Sequence, residues 1–174
     1  ANLRKEAKKA EIAVKSGDCE FFNVQMDSLS ASSKSGDLAI DGLRTQTATL
    51  STMSGDQATK HLQVEELKAA TASGDIAVTD CECKKMLQSA ASGDITINAD
   101  CKEYYVQSKS GDISLISRYD ANAYISTTSG DITLDMLETV GNYQVEMRSV
   151  SGECHVSGNE KKETAEDSYK MEVK

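Results

Sequence analysis

The 174-residue chain contains no proline and no tryptophan. Proline has no backbone N–H to give to a strand ladder and is confined to edges, first residues and bulges. Its complete absence points to a chain in which almost every strand has neighbours on both sides. Aromatic residues are scarce at 5%, against 39% hydrophobic residues in all. That excludes a bulky aromatic core and favours a thin aliphatic one. No run of about 18 apolar residues occurs, so no segment is expected to span a membrane as a helix. No signal peptide is visible. The chain opens on Ala1 instead of Met, as expected of a trimmed or mature form, so export stays compatible with it. Positive charge is also in short supply: 19 Lys and Arg face 28 Asp and Glu, a net charge of −9. Such a surface repels nucleic acid and anionic head groups, so no nucleic-acid partner and no direct membrane insertion are expected.

What is present is a repeat. Ser-Gly-Asp recurs with glycines at Gly17, Gly36, Gly55, Gly74, Gly93, Gly111 and Gly130, and an eighth copy at Gly152 carries Glu153 instead of Asp. The spacings are 19, 19, 19, 19, 18, 19 and 22. Self-similarity at a period near 20 is the signature of stacked units. Two places after each glycine stand Cys19, Leu38, Gln57, Ile76, Ile95, Ile113, Ile132 and Cys154. Four places after stand Phe21, Ile40, Thr59, Val78, Ile97, Leu115, Leu134 and Val156. Before the glycine, inward columns fall at −7 (Ala10, Leu29, Ala48, Leu67, Met86, Tyr104, Ala123, Val145) and −5 (Ile12, Ala31, Leu50, Ala69, Gln88, Val106, Ile125, Met147). At −3, Val14 is followed mostly by Ser, Thr or Ala. Alternation at period 2 is that of strands with one face buried. A weaker inward column is expected at +7 through Val24, Leu43, Leu62, Cys81 and Leu137.

Each unit thus reads as two clear strands and a third short one. Nineteen residues are too few for a βαβ unit of roughly 30, and the only helix-like stretch is Leu3–Ala10. The fold class expected is all-β: a parallel β-solenoid (β-helix) of about eight coils with a repeat of 19 residues. At about 4.8 Å per strand this makes a rod on the order of 35 Å long. Parallel crossovers are nearly always right-handed, so a right-handed coil is expected. Inward offsets are odd before the turn and even after it, so the chain must bend at Ser-Gly-Asp. Glycine takes φ > 0 without a Cβ clash. The serine is expected to point inward, and the aspartate outward, accepting turn N–H groups.

Residues 1–9 are expected to cap the array and residues 10–174 to form one solenoid domain. The 22-residue interval predicts a protruding loop near Met136–Asn142. After Val156 the pattern lapses into a polar stretch, then returns in Tyr169, Met171 and Val173, which match the −7, −5 and −3 columns and predict a final strand over 169–173.

The recurrent Ser-Gly-Asp units followed by alternating Ile, Leu or Val resemble those of a bacterial family of unknown-function domains regarded as adhesins. The resemblance covers residues 10–156 and rests on the eight turn motifs. It implies a parallel β-solenoid, a place on or outside the cell envelope and an adhesive or scaffolding role. It supplies no catalytic residues.

The candidate sites are few. Stacked carboxylates at about 4.8 Å repel by about 0.9 kcal/mol in water, and hydrogen bonds from turn N–H groups are the expected offset. A row of calcium ions is the alternative, but calcium takes six to eight oxygens and one carboxylate per coil is too few. No metal and no cofactor is expected. Cys19 and Cys154 share a column seven coils apart and cannot pair within one solenoid. Cys81–Cys101 or Cys83–Cys101 bridges are geometrically open, but buried or half-buried free thiols are the expected state, since Cys-x-Cys here lacks the second pair or His of a zinc set. His61, in the corner segment after a strand, and His155, on an outward position, are expected to be solvated. Leu87, Tyr105 and Tyr124 stand six before successive glycines. They form an outward stripe that can stack on a sugar or a partner strand, or on itself to stabilise the sheet. The small-residue file Ala39, Ala58, Ala77, Thr96, Ser114, Thr133 forms a flat face on which another copy could pack.

The function expected is that of a non-enzymatic bacterial cell-surface or secreted rod, an adhesin or envelope scaffold with a surface glycan or protein as partner. The alternative is a carbohydrate-active enzyme of the polysaccharide-lyase kind built on a β-helix. Its acid, base and cation would have to sit in the stretched coil near Glu138.

Overall fold

The computed structural model describes residues 7–137, 143–158 and 169–173, and every regular element among them is a strand. They are β1 (Ala7–Val14), β2 (Cys19–Ser35), β3 (Leu38–Ser54), β4 (Gln57–Ser73), β5 (Ile76–Ala90), β6 (Ile95–Ser110), β7 (Ile113–Ser117), β8 (Asn122–Ser129), β9 (Ile132–Met136), β10 (Val145–Ser151), β11 (Cys154–Gly158) and β12 (Tyr169–Val173). Every pairing is parallel and joins a residue to its counterpart one coil away. Ile76, Ile95, Ile113 and Ile132 are successive register partners. The protein is a parallel β-solenoid.

Two elements differ from expectation. Ala7–Ala10, read as helix-like, begins β1 and pairs with Met26 to Leu29. Propensity yields there to the exposed edge of β2, which supplies ladder partners that a helix would leave unused. The separate short strands within each coil are also fused: β2 to β6 run 15–17 residues, with the ladder carried through an intervening bend.

The core is the set of inward files. Leu38, Ile76, Ile95, Ile113 and Ile132 are at most 1% exposed, and so are Leu67, Met86, Tyr104 and Ala123 on the −7 file. Burying one such side chain stabilises by about 1.5–3 kcal/mol. At the first and last coils the files are only half covered: Ile12, Cys19, Phe21 and Cys154 are half-buried and Val156 is exposed, because among the described residues no further coil lies over them.

The Ser-Gly-Asp turns form their own ladder. Each turn glycine has positive φ, from 108° to 152°. From Gly17 to Gly130 the glycine N–H donates to the serine carbonyl one coil on, as Gly55 does to Ser73 at 3.0 Å. Each aspartate Oδ1 accepts the backbone N–H of the next coil's acidic residue, from Asp18 and Asp37 (2.9 Å) to Asp131 and Glu153 (2.8 Å). The carboxylates therefore bond between coils, which ties the file that repels itself. The serines were expected to point inward but are exposed in every copy. The hydroxyls that reach turn carbonyls lie at −3: Thr52 donates to Gly55 O, Thr127 to Gly111 O and Ser149 to Gly130 O.

A second corner lies six residues after the glycine. Asn23, Gly42, His61 and Asp80 stack there with φ of 50°, 78°, 53° and 50°. At the next coil this residue is missing: Thr79 pairs with Asn98 and Cys81 with Ala99, leaving Asp80 without a counterpart. That is the origin of the 18-residue spacing. The inward slot moves from +7 to +6 from this coil onward, to Ala99, Ser117 and Met136, all at most 4% exposed. Leu137, expected inward at +7, is therefore 45% exposed. The C-terminal strand β12 pairs with β10, Tyr169 on Val145, Met171 on Met147 and Val173 on Ser149. The expected loop beyond Leu137, with Glu138, and residues 1–6 of the expected cap lie outside the described residues.

Candidate functional site

The left-handed corner opens a groove. Its floor is apolar (Val24, Leu43, Leu62, Cys81, Ala99), its rims polar, and its volume is about 590 Å³. It runs over six successive coils, from Asn23 to Arg118, roughly 24 Å at the strand spacing. The left-handed residues create it by turning the backbone away from the straight sheet face.

Along the rim the charges alternate. His61 Nδ1 lies 2.7 Å from Asp41 Oδ1, and its Nε2 lies 3.8 Å from Asp80 Oδ2. Arg118 Nη2 is 3.8 Å from Asp80, and its Nε is 3.3 Å from Asp100. Asp100 also accepts the Arg118 backbone N–H at 3.0 Å. His61, expected to be solvated, is exposed yet paired on both sides. Exposed pairs of this kind contribute about 0–1 kcal/mol each. Their effect is to hold donors and acceptors in fixed places, with little gain in stability. His155 is exposed on its outward position, 3.2 Å from Glu153.

Next to Cys81 of the groove floor, the cysteines depart from expectation. Cys83 and Cys101 form a disulfide, Cα atoms 4.6 Å apart, whereas Cys19, Cys81 and Cys154 are free. The missing corner residue explains the pair: it slides Cys101, eight residues after its glycine, into register with Cys83, nine after its own. Beside them Tyr104 Oη donates to the Ala99 carbonyl and accepts the Cys101 N–H at 2.9 Å. Burial pushes the Cys81 thiol and the Tyr104 phenol up to about 12 each. Without a bound cation both stay neutral at ordinary pH.

The other candidates lie elsewhere. Leu87, Tyr105 and Tyr124 are register neighbours on the opposite side of the repeat's turn from the groove. The Tyr105 and Tyr124 rings stack at 5.0 Å and 13°, and Lys85 Nζ lies 4.8 Å over Tyr105. The stripe thus stacks on itself along the sheet. The +3 file from Ala39 to Thr133 is half-exposed to exposed. The turn glycines Gly17, Gly36, Gly55, Gly74, Gly93, Gly111, Gly130 and Gly152 serve the backbone ladder.

The groove residues Asn23, Asp80, Asp100 and Arg118 were not singled out in the sequence. Their signals are the +6 file Asn23, Gly42, His61, Asp80, made of residue types that favour the left-handed region, and the change of spacing from 19 to 18, which marks where that corner is lost. No helix among the described residues is long and apolar enough to cross a membrane. No curated protein and no solved structure matches the chain. A model of the Toastrack DUF4097 family matches residues 25–174, and with most of the solenoid covered, the chain belongs to this family of domains of unknown function.

Proposed function

We propose that the protein is a non-enzymatic bacterial cell-surface or secreted rod that binds a surface glycan in the corner groove, as an adhesin or envelope scaffold. The observation that carries this reading is the groove itself, an apolar floor between rims that hold paired Asp, His and Arg. Sugars are bound through planar networks of donors and acceptors placed over apolar carbon, and the ion pairs here hold such groups in fixed orientation. The net charge of −9 favours neutral over acidic polysaccharide.

The test is a glycan array followed by titration calorimetry with Arg118→Ala and Asn23→Ala variants. Binding of a neutral oligosaccharide that each variant weakens at least tenfold supports the reading. Binding untouched by either variant overturns the groove as its site. The flat +3 face is the proposed contact for a second copy, and light scattering over a concentration series tests it.

The enzyme alternative gains one observation, the His61–Asp41 pair at 2.7 Å. A lyase acting on uronate polymers also needs a cation for the substrate carboxylate; Arg118 is held by two aspartates, whereas Arg44 lines the groove with no ion pair among the described residues. Polysaccharide depolymerisation abolished by His61→Ala would favour this alternative over the adhesin.

A further inference from the structure

Three sulfur atoms converge where the second corner is lost. The Cys81, Cys83 and Cys101 Sγ atoms all lie within 4.8 Å of one another. Cys81 and Cys101 are buried and Cys83 is half-buried. The Tyr104 hydroxyl, between the Cys101 N–H and the Ala99 carbonyl, fixes the backbone that carries Cys101. Cys81 lies buried in the groove floor, so the cluster reaches the surface through the half-buried Cys83.

We propose that reduction of the Cys83–Cys101 bond converts this cluster into a three-thiolate site for a soft monovalent cation, Cu(I), and that the disulfide is the closed state of the same site. A triangle of thiolates suits a soft d10 ion, and thiolate donors favour Cu(I), zinc and iron–sulfur clusters. Iron–sulfur clusters and structural zinc take four protein ligands. Among the described residues no further His, Cys, Asp or Glu joins the group, so three thiolates point to Cu(I). The sequence motif builds the triangle in two steps. Cys-x-Cys places Cys81 and Cys83 on one side of a strand, and the one-residue deletion brings Cys101 opposite Cys83.

The chemistry balances with a named reductant. A trialkylphosphine attacks the disulfide, the S–S bond breaks, and water supplies the oxygen of the phosphine oxide. Its two protons go to Cys83 and Cys101. Cu(I) binding then forms three Cu–S bonds and releases one proton from each of the three thiols, with no change in oxidation state. Re-forming the disulfide by exchange with an oxidised small-molecule disulfide, which takes the two electrons and leaves as two thiols, removes two of the three ligands.

The test uses the whole chain, reduced with phosphine, desalted without oxygen and titrated with Cu(I) against a chromophoric Cu(I) chelator. The expected result is one Cu(I) retained per chain by the reduced protein and none by the oxidised protein. Cys81→Ser, Cys83→Ser and Cys101→Ser are each expected to weaken retention by at least the 10–100-fold that outer-shell changes cost at metal sites. Cys19→Ser and Cys154→Ser are expected to change nothing. Circular dichroism of the reduced protein is expected to keep its β spectrum. Absence of retention, retention unaffected by Cys81→Ser, loss of the β spectrum on reduction, or preference for Zn(II) in the same competition would each overturn the proposal.

Discussion

A Cβ built on Gly93 would lie 2.0 Å from the carbonyl oxygen of Gly74, on a backbone with φ of +134°. Gly17 has φ of +108° but nothing within 4 Å of its Cβ position. The two positions separate strain from collision. Gly17→Ala is expected to cost about 1–2 kcal/mol, the left-handed penalty alone. Gly93→Ala adds a backbone clash and is expected to cost more than about 4 kcal/mol, the range reserved for disrupted special positions. Urea unfolding of the two variants measures the difference, and equal losses would mean that the stacked turns do not pack as described. The buried acids at the lost corner make a second residue-scale prediction. Burial raises Cys81 from 9.0 to about 12 and Tyr104 from 10.0 to about 12. The unfolded chain therefore releases these protons first. Their contribution is complete below pH 9 and is lost as pH rises toward 12, by up to about 1.4 kcal/mol per pH unit for each group. Cys81→Ala is expected to flatten the alkaline fall in unfolding free energy, and a slope identical to wild type would refute this origin.

At the scale of the element, the acidic file is the feature that the repeat makes most conspicuous. Each Oδ1 holds the N–H of the next coil at 2.8–2.9 Å, so the file is a set of clamps between adjacent turns. Asp75→Asn keeps an acceptor and relieves repulsion, and is expected to be nearly neutral. Asp75→Ala leaves the Asp94 N–H without its partner and is expected to cost about 0.5–1.5 kcal/mol. Thermal melts of both variants decide it; equal effects would make charge, and not the hydrogen bond, the operative term. The strands were legible because their alternation needs only inward and outward residues in order. Leu137 was misplaced because an inward offset counted from the glycine holds only while the second corner keeps its residue. The +6 file Asn23, Gly42, His61 and Asp80 does carry a warning, since glycine and the types Asn, Asp and His are those enriched in the left-handed region, but no apolar column marks it.

As a whole molecule, the rod is a stack in which each coil touches only its neighbours, so stability is close to a sum over coils and interfaces. Deleting residues 56–74 removes one period and rejoins Gly55 to Asp75, restoring the Ser-Gly-Asp turn. The shortened chain is expected to fold, with a urea m-value lower by about one-eighth, in proportion to the surface exposed on unfolding. Failure to fold would show that the coils are not interchangeable.

The amino-acid order by itself determined the coil period, the buried files and the direction of the strands, because these follow from repetition and two-residue alternation. It also marked the final strand, since Tyr169–Val173 repeats the columns of earlier coils. Only the tertiary structure decided the groove, the His61–Asp41–Asp80 arrangement and the Cys83–Cys101 pair. Those depend on which residues from different coils face one another. A single deleted corner residue changes that register by one place, and a period counted along the chain cannot say on which side of the deletion two side chains meet.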